Sequence, residues 1–256
     1  MVDDQRFVGM ALTHLLAAEA DLRLHCCLDA EAAIDRANEI APELILQDLV
    51  MPKLDGLTLV RMFRDNPTTA HTPVIVLSGN DDAETREGAL AAGASDYLVK
   101  IPPQAALVSC LRRHLAGHAV GAAGAPPIRQ VAVIDEPLDL SVIAEFQNAS
   151  DGGASGFVAT LLDGFMQEMT AQVDALGTAS RRQDAAALKA AAHRLKGGAA
   201  TIGAKPLAAL CARLEHELGR PAPIVTAIDL VVAVTDEAGR VRAACVRERE
   251  RIELRA

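Results

Sequence analysis

The stretch LILQDLVMPKLDG, residues 44–56, decides the fold of the first half of the chain. Its first five residues form a nearly continuous apolar run that ends in Asp48, which is typical of a strand buried on both faces of a parallel sheet. PVIVLS at 73–78 and DYLVK at 96–100 have the same form. Segments with helical periodicity separate these runs. The alternation predicts a parallel sheet with crossover helices.

Polar side chains stand at the carboxyl ends of three predicted strands, namely Asp48, Ser78 and Lys100. In an open parallel sheet these ends form one edge, and binding sites lie in the crevice there. We therefore expect the three side chains to converge, with Asp3 and Asp4 joining them if the two residues before them end a strand. The other elements predicted in this half are helices at 7–18, 31–40, 56–64, 82–92 and 104–115, and a strand at 22–28.

The residue types at this edge are those of phosphoryl transfer to a carboxylate. Two or three carboxylates around a hard cation are typical of Mg²⁺. A lysine ammonium and a serine hydroxyl would neutralise and hydrogen-bond the oxygens of the transferred group. Asp48 is then the predicted nucleophile.

These motifs, with VDDQ at 2–5 and GASDYLVK at 93–100, resemble the receiver domains of two-component response regulators over residues 2–115. The resemblance implies a flavodoxin-like α/β fold. It further implies that Asp48 is the phosphoacceptor and that Mg²⁺ is bound by Asp3, Asp4, Asp48 and the Val50 backbone carbonyl. Lys100 and Ser78 would contact the phosphoryl group. Ser78 and Tyr97 would form the switch pair.

The chain departs from this family at two points. Ile101 stands between Lys100 and Pro102, where receivers usually place proline directly after the lysine, which leaves open whether the usual cis peptide forms here. The family also has a full buried strand before its acidic pair, between the second and third strands, whereas this chain offers only Met1 and Val2. We expect a truncated first strand, with its neighbours left unpaired, and hypothesise that the natural protein begins upstream.

Residues 117–134 are rich in Ala, Gly and Pro, which predicts a flexible linker between a first domain at 1–116 and a second at 135–256. The second domain has helical periodicity and no strand alternation. Four of its predicted helices are long enough for an antiparallel bundle. The predicted helices cover 138–147, 156–176, 184–199, 206–218 and 224–248.

The sequence HRLKGGAATIGA, residues 193–204, carries the chemistry of the second domain. An apolar stripe predicts its buried face, formed by Leu188, Ala192, Leu195, Ala199 and Ile202. His193 lies roughly 160° from Leu195 around the helix and is expected to point outward. Lys196 and Gly197 share its face, one turn away, which suits an imidazole that holds a phosphoryl group and is approached by another protein.

With DLSVIAEF at 139–146 and LAALCARLE at 207–215, this sequence resembles histidine phosphotransfer (HPt) domains over residues 136–248. The resemblance implies a four-helix bundle in which His193 is phosphorylated on one ring nitrogen. It also implies that Lys196 assists the phosphoryl group, Gly197 gives clearance, and Glu215 steadies the other ring nitrogen.

The composition limits which classes of partner we expect the protein to bind and in which cellular compartment we expect it. A formal charge of -9, from 34 acidic and 25 basic residues, argues against nucleic acid. No apolar run approaches the length of a membrane helix, so no membrane insertion is expected. Five cysteines without metal-binding spacing fit a reduced, cytoplasmic protein in which each is a small buried hydrophobe.

The predicted function is a relay intermediate. A sensor histidine kinase phosphorylates Asp48 with Mg²⁺, and His193 passes phosphoryl groups to or from an aspartate, either Asp48 through an intramolecular contact or that of a separate receiver domain. With no P-loop or other ATP site, the chain is a phosphotransfer intermediate rather than a turnover enzyme. Two alternatives stay open: the C-terminal fragment of a hybrid sensor histidine kinase, and a phosphorylation-independent docking module.

Overall fold

The computed structural model describes residues 1–51, 53–79, 83–116, 136–148, 154–219 and 227–254. The chain divides into two compact units, Met1–Ala132 and Val133–Ala256. The predicted linker at 117–134 and the predicted start of the last helix at 224 lie outside the described residues. Each unit is described by itself.

The first unit is built on a parallel sheet. Its strands are β1 (Ile45–Asp48), β2 (Val74–Ser78) and β3 (Asp96–Val99), in the order β1-β2-β3. Every residue of β1 and β2 is buried, as their apolar sequences predict, whereas β3 alternates between buried and accessible positions. The carboxyl ends of all three strands therefore form one edge of the sheet.

Val2 takes the place of the missing first strand. It forms parallel bridges to both Cys27 and Gln47, so it lies between the segment 22–28 and β1. The expectation that both neighbours would be unpaired is therefore too strong, because each pairs with this one residue. The predicted strand at 22–28 is wrong in extent: only Cys27 pairs, since little more than Met1 and Val2 runs alongside it.

A cavity of about 460 Å³ lies beside Met1. The segments 21–27 and 40–46 contribute to its walls, and the Met1 amino group donates to the carbonyl of His25 at 2.7 Å. Cys26, in this segment, is exposed and Cys27 is half-buried, which corrects the prediction that all five cysteines are buried. The other three are buried: Cys110, Cys211 and Cys245.

The helices of the first unit agree with the periodicity to within a few residues. They are α1 (Arg6–Leu15), α2 (Ala33–Ile40, preceded by a 3₁₀ turn at Ala30–Ala32), α3 (Gly56–Asp65), α4 (Ala83–Ala91) and α5 (Gln104–Leu115). Apolar side chains of α2, α3 and α4 join those of β1 and β2 in one core cluster, in which Phe63 is 1% exposed. The side chain of Gln104 on α5 donates to the carbonyl of Leu15 on α1 at 2.9 Å, which ties these two helices together.

The regular elements of the second unit are all helices within its described residues. Its helices are α6 (Leu140–Asn148), α7 (Ala154–Arg182), α8 (Ala185–Thr201), α9 (Lys205–Leu218) and α10 (Ile228–Glu253). Helix α7 packs on α8, α8 on α9 and α9 on α10, while α10 returns to α7, so these helices close a four-helix bundle. All five residues of the predicted apolar stripe on α8 are buried. None of the described helices is long and apolar enough to cross a membrane.

Candidate functional sites

Backbone hydrogen bonds align the predicted site residues of the first unit. Asp48 N donates to Val2 O at 2.9 Å, and Lys100 N donates to Ser78 O at 2.7 Å. The parallel ladder thus brings the residues after Val2 and at the ends of β1, β2 and β3 to the same edge of the sheet. The expected convergence of Asp3, Asp48, Ser78 and Lys100 is what this topology produces.

A buried ion-pair cluster occupies this edge. Lys100 Nζ lies 2.6 Å from Asp3 Oδ2 and 2.8 Å from Asp48 Oδ2, and the Lys100 and Asp3 side chains are each 2% exposed. Burial raises the pKa of Asp3 to about 7, the Asp48 charge adds to this, and Lys100 opposes it. Burial alone would lower the pKa of Lys100, but the charges of Asp48 and Asp3 outweigh burial and raise it.

The carboxylates can accept a hard cation. One oxygen from each of Asp3, Asp4 and Asp48 lies within 4.8 Å of the others. This is an all-oxygen donor set of the type that Mg²⁺ uses together with water, so the residues present fit that ion. Val50 follows in the next loop, where its amide nitrogen is 3.4 Å from Asp48 Oδ1.

The loop after β1 is closed tightly around Asp48. Gly56 N donates to Leu49 O at 3.0 Å, and Gln47 Nε2 donates to Gly56 O at 2.6 Å. A Cβ at position 56 would lie 2.2 Å from Leu49 O, so only glycine fits there. Asp55 caps α3 by accepting from Thr58 N at 3.0 Å. Sequence analysis did not single out Gln47 or Asp55, although an aspartate directly before a helical pattern is a cap signal.

Ser78 and Tyr97, predicted as a switch pair, are both buried on neighbouring strands. The Tyr97 ring lies inward under the guanidinium of Arg86, whose Cζ is 5.9 Å from the ring centroid. The peptide bond between Lys100 and Ile101 is cis.

His193 on α8 lies beside a carboxylate of α9. Its Nδ1 is 3.2 Å from Glu215 Oε1, while Glu215 Oε2 accepts from Lys196 Nζ at 2.7 Å. The His193 side chain is 22% exposed, so the imidazole borders solvent without being fully exposed. Burial would raise the pKa of Glu215, but His193 and Lys196 outweigh it and hold that pKa below its usual value.

Lys196 is not on an outward face, which corrects the prediction from helical periodicity. Its side chain is 4% exposed, and Gly197 beside it is also buried. The reason is that α8 packs against α7 on one side and α9 on the other, which buries far more than one apolar stripe. The lysine is accommodated by its ion pair with Glu215, a contact across helices that periodicity within one helix cannot reveal.

Comparisons with known proteins match one domain family to each unit of the chain. Residues 1–112 match the response regulator receiver domain family, and residues 160–244 match the Hpt domain family. The response regulator PleD of Caulobacter vibrioides is 40% identical over 100 residues, which cover 39% of this chain and 22% of PleD. The signal transduction histidine-protein kinase BarA of Escherichia coli is 25% identical over 220 residues, which cover 85% of this chain and 24% of BarA. The BeF₃-activated N-terminal receiver domain of Klebsiella pneumoniae RstA is 31% identical, with 44% of this chain and 94% of that one covered at a TM-score of 0.42.

The chain thus contains a response regulator receiver domain at residues 1–112 and an Hpt domain at residues 160–244. It spans less than a quarter of the length of PleD or of BarA.

Proposed function

We propose that this chain is a phosphorelay intermediate in which Asp48 accepts a phosphoryl group and His193 relays phosphoryl groups to or from a receiver aspartate. The observation that carries the proposal is the Asp48 carboxylate, held 2.8 Å from Lys100 Nζ with two further carboxylates within 4.8 Å. A nucleophile, a fixed cation and a set of metal ligands therefore occur together at one strand edge.

Phosphorylation of Asp48 begins with attack by a carboxylate oxygen on the phosphorus of a phosphohistidine donor. The new O–P bond forms as the P–N bond breaks, and the electron pair of that bond returns to the donor imidazole. Lys100 and the Ser78 hydroxyl stabilise the charge on the transferred oxygens. Mg²⁺, held by Asp3, Asp4, Asp48 and the Val50 carbonyl, supplies further charge neutralisation when bound.

The switch function of the receiver follows from the same edge. We propose that the Ser78 hydroxyl engages the phosphoryl group once it is on Asp48 and that the Tyr97 ring responds, since both side chains are buried and lie on neighbouring strands. Movement at this edge would then change the surface that a partner reads.

His193 acts through the ring nitrogen that does not face Glu215. A carboxylate beside Nδ1 favours the tautomer with the proton on Nδ1, which leaves the lone pair on Nε2 for phosphoryl transfer. Lys196 holds Glu215 in place and contributes positive charge one turn from the imidazole. The proposed partners are a sensor histidine kinase and receiver domains, including that of this chain, in the cytoplasm.

Radiolabelled phosphotransfer tests this order. The full chain, its Asp48→Ala variant and its His193→Ala variant are incubated with Mg²⁺ and a phosphorylated kinase. We expect hydroxylamine-labile label on the native and His193→Ala proteins and none on Asp48→Ala. The exposed His216 on α9 provides a matched control, since His216→Ala should behave as native. Label retained on Asp48→Ala with a kinase as the only donor contradicts the proposal.

A second candidate function is favoured by the comparison with BarA, which aligns with 85% of this chain across both domains. In that case the two domains act as the relay portion of a hybrid histidine kinase. The coding sequence before Met1 distinguishes the two: an open reading frame that encodes a kinase core supports the hybrid, and a start signal at Met1 supports a separate protein. The third reading, a docking module, requires that Asp48 and His193 both stay unlabelled while partner binding persists.

A further inference from the structure

We propose that Asp96, Cys110 and His114 form a binding site for a divalent transition metal, with Zn²⁺ as the matching ion. The site lies in the first unit but apart from the phosphoacceptor edge. Asp96 begins β3 and Lys100 follows its end, so the two positions are separated by about 13 Å of strand.

Helix α5 provides two of the ligands. Cys110 and His114 are four residues apart and therefore lie on one face of the helix, one turn from each other. Asp96 Oδ2 lies 3.1 Å from His114 Nε2 and 3.5 Å from Cys110 Sγ. All three ligand atoms lie within 4.8 Å of one another.

These separations suit a zinc ion. Zinc bonds of about 2.0 Å to nitrogen or oxygen and about 2.3 Å to sulfur place neighbouring tetrahedral ligands roughly 3.3–3.7 Å apart. The separations of 3.1 Å and 3.5 Å need adjustments of only a few tenths of an ångström. Asp96 and His114 are 17% and 11% exposed, so water can reach the fourth position. Three protein ligands with an open fourth site are a common zinc arrangement.

The ligand types of this site disfavour Mg²⁺, the ion expected at Asp3, Asp4 and Asp48. Sulfur and imidazole ligands prefer Zn²⁺ and similar metals, whereas Mg²⁺ prefers oxygen. Among the described residues, this is the group of potential ligands that combines a thiol with an imidazole; Asp3, Asp4 and Asp48 offer oxygen alone. The backbone amide of Tyr97 donates to Asp96 Oδ1 at 2.8 Å, which orients the carboxylate and directs Oδ2 to the proposed site.

Two features lower the affinity of the proposed site for a metal ion. Arg113 Nη1 lies 3.5 Å from Asp96 Oδ2 and competes with a cation, but its side chain is 27% exposed and can turn to solvent. Burial raises the pKa of the Cys110 thiol to about 12, with the Asp96 charge adding to this effect. A metal must therefore displace the thiol proton, which passes to solvent as the metal–sulfur bond forms.

Cobalt titration of the full chain in excess Mg²⁺ tests the proposal, because Co²⁺ substitutes for Zn²⁺ and gives a thiolate charge-transfer band. We expect one tight Co²⁺ per chain, with that band, and its displacement by Zn²⁺. His114→Gln should weaken binding at least tenfold, and Cys110→Ser should abolish the band. Cys245→Ser changes a buried thiol on α10 that belongs to no such cluster within the described part of the chain, and it should leave the spectrum unchanged. Asp48→Asn, which removes a ligand of the other site, should also leave the spectrum unchanged.

Circular dichroism of each variant separates lost ligation from lost folding. Because His114 is partly accessible, His114→Gln tests the site even if the buried Cys110→Ser variant fails to fold. No thiolate band in the native chain, a band that survives in folded Cys110→Ser, or unchanged cobalt affinity in His114→Gln would each overturn the proposal. Phosphorylation of Asp48 is a separate readout, so failure here leaves the proposed relay function intact.

Discussion

Removal of Glu215 tests the electrostatic design of the histidine site. Its carboxylate lies 2.7 Å from Lys196 Nζ, and the lysine side chain is 4% exposed. Glu215→Ala therefore leaves a buried ammonium whose charge Glu215 no longer balances. Breaking a buried pair in this way costs about 3–5 kcal/mol. We expect roughly 3 kcal/mol, the lower end of that range, since the site borders solvent beside His193.

The matched control is Glu237→Ala on α10. Glu237 is itself buried and pairs with Arg240 at 2.9 Å, but the arginine side chain is 52% exposed. The same substitution there leaves a solvated cation, and we expect a loss below about 1 kcal/mol from the ion pair. The double variant Glu215→Ala with Lys196→Met removes both charges and should recover most of the stability, because an apolar pair avoids the desolvation penalty.

Hydrogen exchange followed by mass spectrometry on the full chain measures these differences. Peptides from α8 and α9 report the opening of the bundle without interference from the first unit. A loss of 3 kcal/mol accelerates their slowest exchange by roughly a hundredfold, since each 1.4 kcal/mol is a factor of ten. Equal, small changes in Glu215→Ala and Glu237→Ala would refute the argument from burial, as would a double variant less stable than Glu215→Ala.

Three further outcomes are expected in the receiver unit. Burial raises the pKa of Asp3 from 3.8 to about 7, so without metal its contribution to the free energy of unfolding is full at low pH and is lost as pH rises to about 7. Mg²⁺ competes with that proton, and its affinity in calorimetric titration should rise between pH 6 and pH 8; equal affinities would contradict the shift. Lys100→Met removes the cation at the phosphoryl group and should slow labelling of the aspartate about a hundredfold in a radiolabel time course, whereas an unaltered rate would exclude that role. Gly56→Ala forces a Cβ to 2.2 Å from a backbone oxygen and should lower the free energy of unfolding by about 3 kcal/mol, measured by hydrogen exchange of β1. Gly88→Ala is the control that should be tolerated, because its Cβ would meet only a side-chain carbon at 3.8 Å.

The order and type of most elements could be read from the sequence because local patterns decide them; the strand predicted at 22–28, which pairs only at Cys27, is the exception. Continuous apolar runs produced β1 and β2, and the periodicity of 3.6 residues located the helices of the first unit to within a few residues. In the second unit it located the helices less closely, since α7 ends at Arg182, six residues beyond its predicted end. The convergence of Asp48, Ser78 and Lys100 was also predictable, since parallel strands present their carboxyl ends at one edge. The sequence therefore determined the two fold classes and the two candidate phosphoacceptors.

Contacts between distant segments were decided by the tertiary structure alone. The pairing of Val2 with both of its neighbours, the burial of Lys196 against Glu215, and the meeting of Asp96 with the Cys110 face of α5 each join residues from different elements. Periodicity reports which face of one helix or strand is apolar, but it carries no information on what packs against the remaining faces. Burial and partner distance, which set the charge state and ligand chemistry of a side chain, arise only when the elements pack together.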